Sequence, residues 1–383
     1  MGREWMGTKI SCPAAYDGNQ AMPCGLMTQV AEAYPFVTAI CASWRIALGF
    51  DRSAKARPAE LMRALRFDKT GSLDFLLPTE VSMPVSTAAE LLIKVEAAAI
   101  NPSDIKNVLG GMHETTLPRI PGRDFAGVVA QGPAEWIGRK VFGTGGNLGF
   151  GRDGSHAEFV AVPREAAVAM PEGWSFAQAA AAGLPYLTAS AAILHGARLR
   201  SGETILILGT TGAVGGAAAR LAHRAGARVI GVARKKADIA RTEGLPVDAW
   251  IDLEATDLAA GCRALTSNRG ADVVFDTVGG PMFEACLAAM ARRGRQVAIA
   301  SGGMPRVTFS LIDFYHNESS LIGVDSVKWG FAEAAQVLRE LLPAFANGEI
   351  PPPDVQAMPL LRGPEAYRQI NAGTIRGKVV LAP

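Results

Sequence analysis

The sequence has few cysteines and almost no net charge, and both scarcities exclude classes of protein. No two of its five cysteines have C-x-x-C spacing, so the sequence predicts neither a disulfide framework nor a zinc ribbon. Scattered cysteines are typical of a reducing compartment, and we expect a cytoplasmic protein. The 38 basic and 36 acidic residues leave a formal net charge of +2, which indicates neither a nucleic-acid partner nor a membrane surface.

The N-terminal part also lacks a long hydrophobic run. Its longest apolar stretch, residues 36–50, is interrupted by polar residues such as Ser43 and Arg45. It therefore falls short of the roughly 18 apolar residues of a membrane-spanning helix. It also begins too far from Met1 for the hydrophobic region of a secretory signal. We expect neither a membrane span nor a signal peptide.

Residues 1–61 differ in pattern from the rest of the chain. They contain three of the five cysteines and scattered aromatic residues, without a rhythm of strands and turns. From Met62 the pattern becomes regular, with a strand over 62–67 and a longer one over 90–100. We therefore take Met62 as the start of the folded protein. Residues 1–61 are predicted to be a disordered leader or the product of an over-extended start; a helical appendage or targeting segment is the alternative.

Residues 62–185 show short strands separated by glycine and proline, which predicts a compact, mostly β domain. Residues 101–104, Asn-Pro-Ser-Asp, directly follow a strand. Asp104 is suited to cap a following helix, and a simple turn is the alternative. In residues 121–127, Arg123 and Asp124 lie between glycines and precede an apolar strand. We predict that these two side chains form a buried ion pair that holds the loop.

A βα β unit of about 30 residues begins at Thr204. The apolar run 204–208 is typical of a strand buried on both faces of a parallel sheet. A glycine-rich turn, an alanine-rich helix and a second apolar strand follow. Such glycines let a strand turn sharply into a helix whose free N–H groups point at a pyrophosphate. The cofactor-binding residues predicted here are Gly209, Thr211, Gly212, Ala213, Val214 and Gly215.

The end of the second strand indicates which nicotinamide cofactor binds. Sites for NAD tend to place Asp or Glu there, whereas sites for NADP leave room for positive charge. Here Arg234 and Lys235 end the strand, and the first acid, Asp238, lies beyond it. We predict that Arg234, with Lys235 beside it, binds the 2′-phosphate of NADPH, because a guanidinium can contact phosphate through two hydrogen bonds. A solvated helix start is the alternative interpretation.

Further apolar strands continue the sheet at 272–276, 296–300 and 321–324. Ligands of open α/β sheets bind at the carboxyl ends of the strands. The nicotinamide end of the cofactor is therefore expected near Val278, Gly279 and Ser301, which follow the first two of these strands. Residues 282–294 and 331–348 read as helices, and the final strand, 376–381, is predicted to return to the first domain.

Seven short motifs, in this order, resemble the quinone oxidoreductase branch of the medium-chain dehydrogenase/reductase superfamily, which includes the zeta-crystallins. The resemblance covers residues 62–383. It implies a GroES-like catalytic domain over 62–185, a Rossmann NADPH-binding domain over 186–325 and a C-terminal segment, 326–383, that returns to the catalytic domain. The motifs are NPSD (101–104), PGRDFAG (121–127), GSHAEFV (154–160), AAGLPYLTA (181–189), LGTTGAVG (208–215), DVVFDTVGG (272–280) and GKVVL (377–381).

The resemblance also implies roles for single residues. Asn101 and Asp104 would be catalytic residues at the substrate cleft, and Thr188 would face the nicotinamide. Lys378 would assist the NADPH phosphate, and homodimers are usual in the family. The zinc-bearing members place a cysteine where Asn101 stands and a His-Glu pair at positions 123 and 124, so no zinc is expected here.

The implied activity is NADPH-dependent reduction of a quinone, an enone or a related conjugated carbonyl. An enoyl thioester reductase is one alternative, and an NADPH-binding structural or sensor protein with little turnover is another. The tyrosine that donates a proton in the enoyl reductases corresponds to Met112, and the quinone reductases' earlier tyrosine corresponds to Lys106. His113, Lys106 and Tyr186 are the substitutes that the sequence offers, and each also suits a surface or packing role.

Overall fold

The computed structural model describes residues 60–240, 242–375 and 377–383. The expectation for residues 1–61 therefore lies outside the described residues, except at its last two positions. Strand β1 (Leu61–Arg66) pairs antiparallel with β2 (Leu77–Ser82), and the Glu60 carbonyl accepts a 2.8 Å hydrogen bond from the Met83 amide. Leu61 thus pairs with the last residue of β2 and Glu60 bonds to the residue after it, while the start expected at Met62 stays a prediction.

A seven-stranded sheet forms the β-rich part of the molecule. Its strands follow one another in the order β14-β15-β3-β4-β5-β7, and β6 pairs with β3. The short helix α1 (Pro102–Val108) follows β3 directly. The strands are β3 (Glu90–Ala99), β4 (Phe125–Gln131), β5 (Lys140–Gly143), β6 (Phe159–Pro163), β7 (Val168–Ala169), β14 (Val355–Pro359) and β15 (Lys378–Ala382).

Helix α2 (Phe176–Ala189) lies in the largest hydrophobic core, and a π-helical segment (Ser190–Gly196) continues it. Its first turn is fixed by Ser175, whose hydroxyl accepts a hydrogen bond from the backbone N–H of Gln178. Residues 176–196 are long and apolar enough to cross a membrane, yet 83% of an apolar 18-residue stretch within them is buried inside the protein. This is the behaviour of a core helix. The division expected between residues 185 and 186 falls inside this continuous helix.

The second sheet has six parallel strands in the order β10-β9-β8-β11-β12-β13. This is the Rossmann order, in which the strand sequence reverses direction between β8 and β11 and leaves a crevice for a dinucleotide. The predicted fold class is confirmed: a Rossmann sheet accompanies a mostly β, GroES-like part. The strands are β8 (Thr204–Leu208), β9 (Arg228–Ala233), β10 (Ala249–Asp252), β11 (Ala271–Asp276), β12 (Met290–Ala298) and β13 (Ser320–Gly323).

One predicted helix is shorter than its sequence pattern suggested. The helix expected over 282–294 ends at Ala289, because Met290 already begins β12. Arg293 has a φ of 63°, a left-handed conformation that interrupts an α-helix. The remaining helices are α3 (Ala213–Arg224), α4 (Lys236–Ile239), α5 (Leu258–Leu265), α6 (Phe283–Ala289), α7 (Leu311–His316), α8 (Phe331–Ala346) and α9 (Gly363–Asn371).

The C-terminal strand brings distant residues to the start of α1. Strand β15 pairs antiparallel with β3 through Val380 and Ala99, and the Ile100 amide donates a 3.0 Å hydrogen bond to the Val379 carbonyl. Lys378 therefore lies beside Asn101. Short 3-10 turns connect several elements, at Leu73–Phe75, Arg164–Ala166, Gly280–Met282, Ser326–Lys328 and Leu360–Arg362.

Candidate functional site

The glycine turn, residues 209–215, joins β8 to α3, and two of its three spaced glycines, Gly209 and Gly215, have a clear steric reason. Gly209 has a φ of +70°, a conformation open to glycine, and a Cβ there would lie 2.3 Å from Thr277 Oγ1. Gly212 precedes the helix, and its amide donates a 2.9 Å hydrogen bond to the Gly209 carbonyl. A Cβ on Gly215 would lie 2.2 Å from that carbonyl oxygen. The first turn of α3 therefore packs directly on the end of the strand.

A threonine inside the turn fixes it against the neighbouring strand. The Thr210 hydroxyl accepts a 2.9 Å hydrogen bond from the Val232 amide of β9. The N-terminus of α3 is thus held beside the end of β9. Thr211, Gly212 and Ala213 are exposed there. Because the first N–H groups of a helix have no partner within it, this exposed end fits a diphosphate.

The loops after β11 and β12 meet beside the glycine turn, as predicted for the carboxyl ends of parallel strands. The amides of Val278 and Gly279 donate to Asp276 Oδ1 at 3.0 and 2.7 Å. A Cβ on Gly279 would lie 2.0 Å from the Ala300 carbonyl and 2.8 Å from Ser301 Cα. The structure therefore brings Val278, Gly279 and Ser301 together. Their contact with the cofactor stays a prediction.

Arg234 and Lys235 follow β9 directly and are exposed to solvent. In the part of the chain that the structure describes, neither side chain forms an ion pair with a carboxylate. Because the Val232 amide bonds to Thr210 of the glycine turn, the two cations lie at the corner where β9 ends beside that turn. Their charge is available to a ligand.

A buried polar cluster, formed by Asn101, Asp124 and Lys378, lies at the start of α1. The Asn101 Nδ2 group donates a 2.8 Å hydrogen bond to Asp124 Oδ2, and Asn101 Oδ1 accepts one from Lys378 Nζ. Lys378 Nζ lies 3.8 Å from Asp124 Oδ2. All three residues are at most 9% exposed. The cluster therefore fixes which way the Asn101 amide points.

Helix α2 completes the surroundings of Asp124. The Leu184 amide donates a 2.8 Å hydrogen bond to Asp124 Oδ1. Gly183 permits this approach, because a Cβ there would lie 2.7 Å from the same oxygen. Thr188 is one helical turn beyond Leu184 and therefore shares its face of the helix. It is 8% exposed, and its predicted contact with the nicotinamide stays a prediction.

The predicted ion pair between Arg123 and Asp124 is wrong. Asp124 pairs instead with Lys378, while Arg123 Nη2 donates a 3.1 Å hydrogen bond to the Ser326 carbonyl. The reason is long-range: β15 brings an ammonium group to Asp124 from 254 residues further along the chain. Lys378 was expected to assist the NADPH phosphate, and that contact stays a prediction.

Asp104 stabilises the start of α1 from the helix's first turn. Asn101 occupies the cap position, and its backbone N–H donates a 2.8 Å hydrogen bond to Asp104 Oδ2. Among the described residues, nothing bonds to Asp104 Oδ1. Burial raises the pKa of this carboxyl to about 7. The group is therefore a weak acid near neutral pH.

Two buried residues near this cluster had not been singled out from the sequence. The Tyr367 hydroxyl lies 2.8 Å from His156 Nδ1, and His156 Nε2 lies 3.4 Å from the Ala99 carbonyl. Burial lowers the pKa of His156 to about 4, so the ring is neutral at pH 7. Nε2–H then donates to Ala99 and Nδ1 accepts from Tyr367. His156 belongs to a quoted motif, whereas no sequence signal marks Tyr367.

The structure also separates the three substitutes for a tyrosine proton donor. Lys106 and His113 are exposed, and Met112 is half-buried. Tyr186 packs in the core against Phe345, with ring centroids 5.3 Å apart, and burial raises the pKa of its hydroxyl. Tyr186 is therefore a packing residue and a poor acid.

The residues of the buried polar cluster do not fit a zinc ion. Zinc takes thiolate, imidazole or carboxylate ligands, and an ammonium group cannot ligate it. Here Lys378 shares the carboxylate of Asp124 with the Asn101 amide. Across residues 60–383 as far as they are described, no group of three or more His, Cys, Asp or Glu side chains is placed to hold a metal.

Known proteins share both parts of the molecule. Residues 87–172 match the family described as alcohol dehydrogenase GroES-like domain, and residues 213–343 match the family described as zinc-binding dehydrogenase. A zinc-type alcohol dehydrogenase-like protein of Schizosaccharomyces pombe is 35% identical over 297 residues, which cover 76% of this chain and 87% of that protein.

The quinone oxidoreductase of Mus musculus is 30% identical over 338 residues, covering 84% of this chain and 98% of that protein. A crystal structure of an alcohol dehydrogenase superfamily protein from Novosphingobium aromaticivorans has a TM-score of 0.76 and 27% identity, covering 84% of this chain and 99% of that one. The family is one of nicotinamide-dinucleotide-binding dehydrogenases. The chain therefore belongs to the quinone oxidoreductase, zeta-crystallin-like branch of the medium-chain dehydrogenase/reductase superfamily, and it is an oxidoreductase.

Proposed function

We propose that the protein reduces a quinone, an enone or a related conjugated carbonyl with NADPH and without zinc. The observation that carries the choice of NADPH is the pair of exposed cations, Arg234 and Lys235, at the end of β9. A 2′-phosphate at this corner would meet positive charge where an NAD site places an acid. Reduced cofactor with this extra phosphate is therefore the expected partner.

The chain's own groups suit the binding and orientation of this cofactor. The glycine turn lets α3 begin directly at the end of β8, and the exposed first residues of the helix, 211–213, are suited to a diphosphate. When bound, NADPH supplies a hydride to an electron-poor double bond. The protein's task is then to hold the acceptor in line and to stabilise charge on its carbonyl oxygen.

Asn101 is the group that we assign to this carbonyl oxygen. Its Nδ2 group has two N–H bonds, and the described residues use one of them, toward Asp124. Lys378 holds the amide oxygen, so the second N–H keeps a fixed direction. In place of a zinc ion, an amide donor beside a buried ammonium group polarises the carbonyl. Water delivers the proton to the quinolate or enolate that hydride addition leaves.

Cofactor choice is tested by titrating the protein with NADPH and NADH. We expect Arg234→Ala to weaken NADPH binding by about 10- to 100-fold, the worth of a hydrogen bond to a charged group, and to leave NADH binding unchanged. Arg228→Ala, at the opposite end of β9, is the matched control and is expected to change neither. Equal affinity of the unaltered protein for both nucleotides would remove the proposal.

The acceptor class is tested by following NADPH oxidation with 1,4-benzoquinone, 9,10-phenanthrenequinone and a crotonyl thioester. We expect turnover with the quinones. Turnover with the thioester alone would identify an enoyl thioester reductase instead. Tight NADPH binding without oxidation by any of the three would favour a binding protein with little turnover.

We also propose that two copies of the chain assemble through the β13 edge of the six-stranded sheet. An edge strand presents unpaired backbone groups, and exposed apolar side chains surround this one. A symmetric partner can cover both at once. Light scattering should give twice the 40.2 kDa chain mass. The exposed side chains are Met304, Leu311, Ile312, Tyr315 and Leu321.

A further inference from the structure

The guanidinium of Arg123 is a buried charge that forms no ion pair with any described residue. Arg123 is 1% exposed, and its terminal nitrogens bond to Ser326, with Nη2 at 3.1 Å from the carbonyl and Nη1 at 3.5 Å from Oγ. The Phe150 ring centroid lies 5.4 Å from the guanidinium carbon. Nε is buried and has no hydrogen-bond partner in the described ranges.

Four carboxylates influence Arg123 from a distance, yet each is held by other groups. None of them forms an ion pair with Arg123 in the portion of the chain that the structure describes. Burial lowers the pKa of Arg123, but a guanidinium stays charged in proteins. The carboxylates and their partners are Asp104 with the backbone N–H of Asn101, Asp124 with the side chains of Asn101 and Lys378, Glu114 with Lys328, and Asp325 with the backbone N–H of Val327.

One side of the guanidinium has no hydrogen-bond partner at Nε among the described residues. Ser326 occupies the end formed by the two terminal nitrogens. The side formed by Nε–H and the second N–H of Nη2 has the geometry that receives both oxygens of a carboxylate. A buried charge without a partner is costly, and such a cost is typical of a position where a ligand completes the site.

Arg123 also lies where the acceptor is expected. It immediately precedes Asp124, which holds the amide of Asn101. Ser326, its contact, belongs to the turn after β13, the last strand of the nucleotide-binding sheet. Arg123 therefore spans the β-rich part and the nucleotide-binding part, close to the group that we assign to the acceptor carbonyl.

We propose that Arg123 binds a carboxylate of the acceptor substrate, so that the enzyme prefers conjugated carbonyls that carry a carboxylate over neutral ones. This inference rests on the proposed reductase function and names its substrate class. The carboxylate neutralises the buried guanidinium while the carbonyl oxygen meets the Asn101 amide. One end of the substrate is fixed by charge and the other by a hydrogen bond.

The test uses two acceptors of nearly equal shape, trans-4-oxo-2-pentenoate and trans-3-hexene-2,5-dione. They differ in that a carboxylate replaces an acetyl group. The kcat/KM for the carboxylate is divided by that for the diketone. This ratio is measured for the unaltered protein and for Arg123→Gln, so that intrinsic reactivity cancels. We expect the ratio to fall by about 10- to 100-fold in the variant. A ratio equal in both proteins overturns the proposal.

Two control variants separate charge from packing. Ser326→Ala removes the long Oγ contact and keeps the guanidinium, so the ratio should stay as in the unaltered protein. Arg123→Lys keeps the charge without the planar fork and should give an intermediate ratio. An equal loss with both acceptors in Arg123→Gln would show a structural role and would contradict the proposal.

A binding measurement without turnover distinguishes this proposal from the reductase function. The NADPH-loaded full chain is titrated calorimetrically with 4-oxopentanoate and with 2,5-hexanedione, which lack the reducible double bond. We expect the carboxylate to bind at least about 10-fold more tightly. That preference supports the proposal even if no alkene is reduced or Arg123→Gln fails to fold. Equal binding of the two compounds by the unaltered protein overturns it.

Discussion

The glycine turn and the buried polar cluster hold their ligand groups by different means. In the glycine turn, residues that are neighbours in sequence present backbone amides, and a Cβ at Gly209 or Gly215 would clash with adjoining protein atoms. In the buried polar cluster, side chains from three distant segments meet, with Lys378 lying 277 residues from Asn101. Local sterics therefore determine the first site, and charge compensation across the fold determines the second.

The difference also has an energetic side. A glycine turn tolerates changes around it as long as space for the backbone remains. A buried charge depends on every partner, because removal of one leaves another uncompensated. Substitutions in the two regions should therefore differ in size and in what they affect.

The largest effect is expected for Lys378→Met. The substitution leaves Asp124 buried without its cation, and we expect a loss of about 3–5 kcal/mol in the free energy of unfolding. Chemical denaturation followed by circular dichroism measures it. Lys94→Met is the matched control, since Lys94 forms an exposed ion pair with Glu96 on β3. That variant should change stability by no more than about 1 kcal/mol. Equal effects would mean that the cluster is not charge-compensated.

A second prediction concerns pH and Asp104. Its folded pKa of about 7 lies above the ordinary value of 3.8, so the folded state binds more protons between the two values. Asp104 therefore contributes stability at low pH that is lost as the pH rises toward 7. As the pH rises from 4 to 8, the free energy of unfolding of Asp104→Asn should increase by about 3 kcal/mol relative to that of the unaltered protein. Thermal unfolding across this range measures the difference.

The control for this pH series is Asp313→Asn, at the exposed first turn of α7. This variant measures how much the loss of an exposed carboxylate contributes to the profile. A flat profile for Asp104→Asn would show that the Asp104 carboxyl is already ionised in the folded protein.

The smallest effect is expected for Gly215→Ala, which should lower the free energy of unfolding by about 1–3 kcal/mol. Its Cβ would lie 2.2 Å from the Gly209 carbonyl, so the helix must move and the turn must widen. NADPH affinity, measured by fluorescence titration, should fall by about 10- to 100-fold. Gly216→Ala is the control, because the nearest atom to its Cβ is 3.7 Å away. Unchanged affinity in Gly215→Ala would break the contrast between the two regions.

Sequence patterns predicted more of the nucleotide-binding part than of the β-rich part. The parallel strands, the glycine turn and the loops at Val278 and Ser301 all follow from local apolar runs and glycine spacing. The pattern failed at residues 290–294, where a helical composition continues into strand β12. There the pairing with β11 outweighs local helix preference.

In the β-rich part, single residues were found without their partners. Asn101 and Asp104 were predicted from the motif after β3, but the pairing of Asp124 with Lys378 was not. Tyr367 lies on an ordinary amphipathic helix, and its hydrogen bond to His156 depends on where that helix packs. No spacing rule connects residues so far apart.

The sequence by itself determined the Rossmann order, the glycine turn and the basic corner at Arg234, because these features depend on backbone conformation and on neighbours within one supersecondary unit. The tertiary structure alone decided which charges are buried together. Strand β15 brings Lys378 to Asp124, and the same fold leaves Arg123 buried beside Ser326 without a carboxylate among the described residues. Burial and charge pairing are properties of the packed molecule, since they depend on every segment that excludes water from the site.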